Sequence, residues 1–184
     1  WLTENQLQKP LLLVSDQSIT NISILLDDPA TIGADLLVAA AAVFSKYKKT
    51  AIIVDLGTAT TLTVVTDKGE FLGGAIVAGV EVSLQKLFDT TANLSQMKLT
   101  DTPKAIGAST EAALQSGAVF GYAGLLDGII DNMLKELDEK SPLIIATGGQ
   151  AQFIAHHSKH IQLIDNDLIF DGLKVIYDLT KKKQ

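Results

Sequence analysis

Acidic and small polar residues follow an apolar run that is typical of a strand. Asp55 comes directly after the aliphatic segment 51–54, and Gly57 and Thr58 precede a second strand-like run. A hairpin of this composition can turn backbone N–H groups and a hydroxyl toward an anion, while the carboxylate can hold a cation. The pattern predicts a phosphate and ion site, although threonine and glycine are also ordinary strand and turn residues.

Three further groups of residues have types that suit a ligand site. Asp35 falls in the first turn of a predicted helix, where the helix dipole favours an ionised carboxylate, and helix capping is the simpler role. Gly148 and Gly149 follow a predicted strand and permit close approach to the backbone, as in any strand-to-helix turn. His156 and His160 have the spacing of helical metal ligands, but no glutamate stands between them, which favours a solvated helix end.

The elements that must position these residues form a predicted α/β domain. After an amino-terminal helix, three strand-like runs predict an antiparallel meander, and helices then alternate with strands in a mixed sheet. This order is compatible with the ribonuclease H-like fold. The predicted strands are 11–14, 21–26, 50–54, 60–66, 70–77, 142–146 and 161–164, and the main predicted helices are 33–49, 80–89, 109–140 and 168–181.

Composition narrows the classes of partner. The 184 residues have a formal net charge of -6 and a sequence pI near 4.9, which argues against binding to nucleic acid or anionic membranes. The chain has no cysteine, as is common in a reducing compartment, and no visible signal peptide. The longest strongly apolar stretch, 36–44, is too short to span a bilayer. We therefore expect a soluble, cytoplasmic protein with small-molecule or protein partners.

Several motifs occur together in the order and spacing of one enzyme family. They are PATIGADL, DLGTATT, AIGASTEAALQSGAVFGYAGLLDGI, IIATGGQAQFI and LIFDGLKVIYD. From residue 29 onward the chain resembles type III pantothenate kinases, members of the superfamily of sugar kinases and actin-like ATPases. The resemblance implies a ribonuclease H-like, actin-like ATPase domain with a mixed sheet over residues 50–184. Residues 1–49 would be the remnant of a preceding domain that carries the acceptor-site helix.

The resemblance also implies an activity and its site residues. The family transfers the γ-phosphate of ATP to pantothenate in coenzyme A biosynthesis, which implies ATP, Mg²⁺ and a monovalent cation, K⁺ or NH₄⁺. In its motif Asp35 takes the position of the catalytic base, and Asp55 that of the ligand of the monovalent cation. The other implied contacts are Gly33, Ala34, Leu36 and Thr110 for pantothenate, and Thr58, Gly148 and Gly149 for ATP.

The sequence departs from the family pattern at its amino-terminal side. No Asp-Xaa-Gly-Asn-Thr phosphate loop stands upstream of Pro29, Leu36 replaces the arginine that would bind the substrate carboxylate, and Leu26 replaces a tyrosine. Three interpretations are open. The chain is an incomplete kinase, a non-catalytic paralogue that supports a complete partner subunit, or a transcriptional accessory factor, a label that some family members carry.

The longest predicted helix supports two further expectations. Thr110 is also a candidate for its cap, a role compatible with a pantothenate contact. Apolar residues recur at helical spacing over 125–137 and offer more hydrophobic surface than one small domain can cover. Because the family is dimeric, we expect a homodimer or a heterodimer with a complete homologue.

Overall fold

One mixed sheet lies at the centre of the chain. The computed structural model describes residues 14–91, 97–101, 104–137, 139 and 141–182, so residues 11–13 of the strand predicted over 11–14 lie outside the described residues. Within them, the strands are β1 (Ser23–Ile24), β2 (Ala51–Leu56), β3 (Ala59–Val65), β4 (Glu70–Ala78), β5 (Leu143–Thr147) and β6 (Leu163–Ile164), and the α-helices are α1 (Ala34–Tyr47), α2 (Val80–Thr90), α3 (Thr110–Glu136), α4 (Ala151–Ile154) and α5 (Leu168–Lys181).

The order of the strands identifies the fold. Across the sheet they run β1-β4-β3-β2-β5-β6. β2, β3 and β4 form an antiparallel meander, β5 and β6 continue parallel to β2, and β1 pairs in parallel with β4. A three-stranded meander extended by two parallel strands is the ribonuclease H-like arrangement. The predicted fold class is therefore confirmed.

Helices cover both faces of the sheet, and alternation along β2 decides which side chains each face receives. Ile52 and Val54 point into the core under α3 and α4, whereas Ala51 and Ile53 point into the core under α1. α5 packs against α1 on the same face. Asp55 follows the alternation of Ile53, so its side chain is directed to the α1 face.

The alanine-rich α1 packs closely against α5. Ala39, Ala40, Ala41 and Ala42 are all buried, and a Cβ atom on Gly172 of α5 would lie 2.1 Å from the backbone oxygen of Val38. Small side chains on α1 and the glycine on α5 therefore let the two helices pack closely. Although α1 precedes residue 50, it packs on the sheet of the later segment, and the division of the chain at that residue stays a prediction.

The far end of α1 is anchored by polar contacts. Lys46 Nζ lies 2.6 Å from Asp165 Oδ2 and 3.2 Å from Asp171 Oδ2. The Tyr47 hydroxyl donates to the same Asp165 oxygen at 3.1 Å. These contacts connect the last turn of α1 to the residues that enter and begin α5, so both helices keep a fixed relation to the sheet edge.

One expectation about α3 is wrong. Its cap is Ser109, whose Oγ accepts from the backbone N–H of Ala112 at 3.1 Å, and Thr110 is the first helical residue. By length and composition, α3 is the one helix of the described segments that could cross a membrane. Here it packs as a core helix, with Leu126 and Ile130 fully buried against the sheet.

Candidate active site

The turn between β2 and β3 brings Asp55 and Thr58 to one edge of the sheet. The Gly57 N–H donates to the backbone oxygen of Ala59 at 3.2 Å, which closes the turn, and Thr58 is exposed. The N–H of Gly79, at the start of α2, donates to the backbone oxygen of Thr58 at 3.0 Å. This hydrogen bond ties the hairpin to the start of α2, and Thr58 stays accessible to solvent.

A second strand end lies directly beside Asp55. β5 is parallel to β2 and places Thr147 opposite Asp55. The chain then turns through Gly148, which has a φ of 93°. A Cβ atom there would lie 2.5 Å from Asp55 Oδ1 and 2.6 Å from the backbone oxygen of Leu56. Only glycine fits this position, because both its backbone conformation and the space above it exclude a side chain.

Asp35 approaches the same edge from the start of α1. It is the second residue of that helix, after the N-cap Gly33, which makes no side-chain capping bond. A Cβ atom on Gly33 would lie 2.5 Å from Asp35 Oδ1. Asp35 is exposed, and its carboxylate lies at the positive end of the α1 dipole, where a negative charge is favoured.

The two carboxylates influence each other electrostatically. Burial raises the pKa of Asp55, and repulsion from the charge of Asp35 raises it further. Among the described residues, neither carboxylate has a lysine, arginine or histidine in ion-pair distance. Two uncompensated negative charges at one edge attract a cation, which would lower the cost of keeping Asp55 ionised.

Cavities adjoin the 148–150 turn on both sides. A cavity of about 420 Å³ is lined by Asp55, Gly148 and Gly149, together with Asn166 and Phe170 from the entry and first turn of α5. A larger cavity of about 730 Å³ lies between α2, α4 and residues 97–99. Its wall includes Gln150, Leu84, Phe88, Leu99 and Phe153.

Sequence reasoning missed several residues of these cavities. Phe170 is 72 % exposed although aromatic, and it faces the smaller cavity because α5 begins at that edge of the sheet. Gln150 lines the larger cavity, and its Oε1 is a buried acceptor without a donor among the described residues. A phenylalanine in an amphipathic helix and a glutamine after a turn carry no distinctive local pattern.

Not all the predicted residues meet at this edge. Gly33, Asp35, Asp55 and Gly148 come together. Thr110 begins α3, which packs on the face opposite α1, and it lines neither of the two cavities.

The other two predicted pantothenate contacts of the PATIGADL motif, Ala34 and Leu36, take different positions. Ala34 is exposed at the first position of α1, and Leu36 is half-buried against the core beneath that helix.

The histidines form pairs with acids. His157 Nε2 lies 2.7 Å from Asp101 Oδ1, and His160 Nε2 lies 2.8 Å from Asp131 Oδ1. The pairs connect the segment after α4 to the α3 side of the molecule. Within the described ranges, no group of three or more acidic or histidine side chains has the geometry to hold a metal ion.

Comparisons with known proteins agree with the motifs. The family model for type III pantothenate kinase matches residues 2–132. A type III pantothenate kinase from Syntrophus aciditrophicus (strain SB) is 40% identical over 174 residues, which are 95% of this chain and 68% of that protein. The chain belongs to the type III pantothenate kinase family. The family resemblance predicted from the sequence is thereby confirmed, and the Syntrophus relative is named as a kinase.

Solved structures support the fold of this pantothenate kinase family member. A Campylobacter jejuni protein described as a Baf family transcriptional activator superposes with a TM-score of 0.60 at 24% identity, over 88% of this chain and 69% of that one. The Alp12 filament structure superposes with a TM-score of 0.52 at 14% identity, over 79% of this chain and 52% of that one. At these identities the likeness extends to the fold alone.

Proposed function

We propose that this chain takes part in the ATP-dependent phosphorylation of pantothenate, at the edge of the sheet where Asp55 interacts electrostatically with Asp35. The observation that carries the proposal is this pair of carboxylates, which lack a positively charged partner among the described residues, together with the cavity that Asp55 lines and the adjoining threonine hairpin. Family membership supports the substrates. Geometry supports the location.

Asp35 is the proposed catalytic base. In phosphoryl transfer, a carboxylate orients the attacking hydroxyl and accepts its proton, while most of the barrier is lowered by alignment and charge stabilisation. Asp35 lies in the first turn of α1, where the helix dipole favours a negative charge on its carboxylate. Its exposed position lets a substrate hydroxyl reach it.

Asp55 is the proposed ligand of a monovalent cation, K⁺ or NH₄⁺. The residues present fit such an ion, because Asp55 offers carboxylate oxygen, the missing side chain of Gly148 leaves the carboxylate room, and burial disfavours an uncompensated charge there. A bound cation, together with Mg²⁺ on the nucleotide, would neutralise phosphate charge. The Thr58 hydroxyl would donate to a phosphate oxygen.

The nucleotide would extend along the turn at 148–150. Gly149 has no heavy atom within 4 Å of the position of a Cβ, so its backbone is open to a ligand. Beyond it, the cavity of about 730 Å³ has an apolar wall that includes Leu99 and Phe153 and would suit the base. Pantothenate would bind on the other side, at Gly33, Ala34 and position 36, and Thr110 stays a predicted contact.

A second candidate function is favoured by Leu36. A side chain without charge cannot bind the substrate carboxylate as an arginine does, so the chain would instead act as the structural or regulatory subunit of a complete kinase. The surface for such a partner, or for a second copy, would be the groove of about 450 Å³ between β4 and α3. Ile76 is 69 % exposed beside it, and Leu125 is 37 % exposed on α3.

Turnover separates the two functions. The 184-residue chain is fused to, or mixed with, the amino-terminal portion of the Syntrophus relative, and ADP release is measured with pantothenate, ATP, Mg²⁺ and K⁺. We expect turnover that disappears in Asp35→Asn. Turnover that survives this substitution would contradict the role of Asp35. Absence of turnover in the combined protein, under conditions in which the intact relative is active, would favour the subunit function.

A further inference from the structure

Two glycines of the candidate site stand where the carboxylates leave no room for a side chain. A Cβ atom on Gly33 would lie 2.5 Å from Asp35 Oδ1, and one on Gly148 would lie 2.5 Å from Asp55 Oδ1. We infer that Gly33 and Gly148 are positioning residues, whose missing side chains set the direction of the two carboxylates. The catalytic consequence of this inference rests on the proposed function, but the geometry does not.

At Gly33 the backbone does not require glycine. Its φ of -65° and ψ of 135° are open to any residue. As the N-cap of α1 it would normally be serine, threonine or aspartate, whose side chain accepts from the first turn. Here the N-cap supplies no such bond, and the Asp35 carboxylate fills the space instead. The glycine therefore makes room for the carboxylate.

Because Asp35 is exposed, its carboxylate can move away from a new side chain at little cost in stability. Gly33→Ala should therefore redirect Asp35 while the fold survives, although alanine is a poorer N-cap than glycine. Gly33→Ser adds the same Cβ atom but restores a capping oxygen. If Asp35 is redirected in both Gly33→Ala and Gly33→Ser, the cause is the added Cβ atom and not a change in helix capping.

At Gly148 the restriction is stronger. Its φ is 93°, and the same Cβ atom would lie 2.6 Å from the backbone oxygen of Leu56. A side chain at this position would strain the main chain as well as displace Asp55. Gly148→Ala would therefore change the folding stability and the position of the Asp55 carboxylate together. Gly149 is the matched control, because it is the next residue in the turn and no heavy atom lies within 4 Å of its Cβ position.

Three-bond NMR couplings between the backbone and Cγ of Asp35 measure its χ1 angle in the protein without ligands. We expect Gly33→Ala and Gly33→Ser to shift these couplings to a different rotamer population, while Gly149→Ala leaves them unchanged. Urea unfolding should confirm that Gly33→Ser is folded. Unchanged couplings in folded Gly33→Ser, or an equal shift in Gly149→Ala, would overturn the inference.

The catalytic consequence is measured in the fused protein used for turnover. If Gly33 positions the base, Gly33→Ser should lower kcat with little change in the KM for ATP. Gly128→Ala on α3, where no heavy atom lies within 4 Å of the Cβ position, should leave kcat unchanged. A shift in couplings with unchanged kcat would overturn the catalytic consequence. Loss of turnover in the unsubstituted fusion would instead count against the proposed function, and would leave the coupling result standing.

Discussion

Leu36→Arg should increase the affinity of the chain for pantothenate. Leu36 is half-buried at the start of α1, and its Cγ lies 3.5 Å from the Cβ position of Gly33, so it adjoins the backbone that carries Asp35. A guanidinium there can form a charge-assisted bond with the substrate carboxylate, worth about 1.5 to 3 kcal/mol, or about one to two powers of ten in affinity. The arginine stem keeps part of the apolar contact, so the loss of folding stability should be small.

The measurement is a calorimetric titration of each variant with pantothenate and with pantothenol, which has a hydroxyl in place of the carboxylate. Leu36→Met is the matched control, because it keeps the apolar volume without adding a charge. We expect the gain only for arginine and only with pantothenate. An equal gain with pantothenol, or no gain of Leu36→Arg over Leu36→Met, would refute the reasoning.

Three other predictions concern stability and assembly. Asp55→Asn should raise the free energy of unfolding at pH 7. The pKa of Asp55 is higher in the folded than in the unfolded protein, so its ionisation lowers the free energy of unfolding as pH rises from the unfolded pKa of about 3.9 through the raised folded pKa. The stability gained in Asp55→Asn should therefore vanish toward pH 4. A pH-independent gain in urea titrations would contradict this. Gly172→Ala should lower unfolding stability by about 1 to 3 kcal/mol, because its Cβ would meet the backbone oxygen of Val38 at 2.1 Å. Gly128→Ala on α3 is the control, because no heavy atom lies within 4 Å of its Cβ position, and it should stabilise the protein by about 0.5 to 1 kcal/mol. Equal changes of the two variants in thermal unfolding would contradict the close packing of Gly172 against Val38. Sedimentation at micromolar concentration should show at least a dimer, and Ile76→Lys should weaken it because this exposed side chain lies beside the groove between β4 and α3. A monomeric wild-type chain would contradict the role of that groove as an interface.

The local parts of the fold were predictable from sequence. The meander follows from three strand-like runs and from the turn at Gly69, whose φ of 78° suits glycine. α5 has the predicted bounds, Leu168–Lys181, because its apolar face repeats at helical spacing. By contrast, the strand predicted over 21–26 is only Ser23–Ile24 in the structure, since β1 is an edge strand with one neighbour. Edge pairing depends on tertiary contacts, which local patterns do not contain.

The candidate site was predictable as residue types but not as a geometry. Asp55 and Gly148 are far apart in sequence, and only the parallel pairing of β2 with β5 brings the glycine against the carboxylate. The cap of α3 shows a different limit. Ser109 and Thr110 are both good capping residues, so their order alone could not decide which one accepts the helix N–H.

Calorimetric titration with Mg²⁺-ATP tests whether Asp55 forms a cation-dependent nucleotide site. ATP affinity is compared in K⁺ and in a large organic cation, for wild type and for Asp55→Asn, which keeps the shape of the side chain but loses its charge. We expect K⁺ to strengthen ATP binding by the wild-type chain, and we expect this K⁺ dependence to be lost in Asp55→Asn. An unchanged K⁺ dependence in that variant, or a wild-type chain that does not bind ATP, would contradict this expectation.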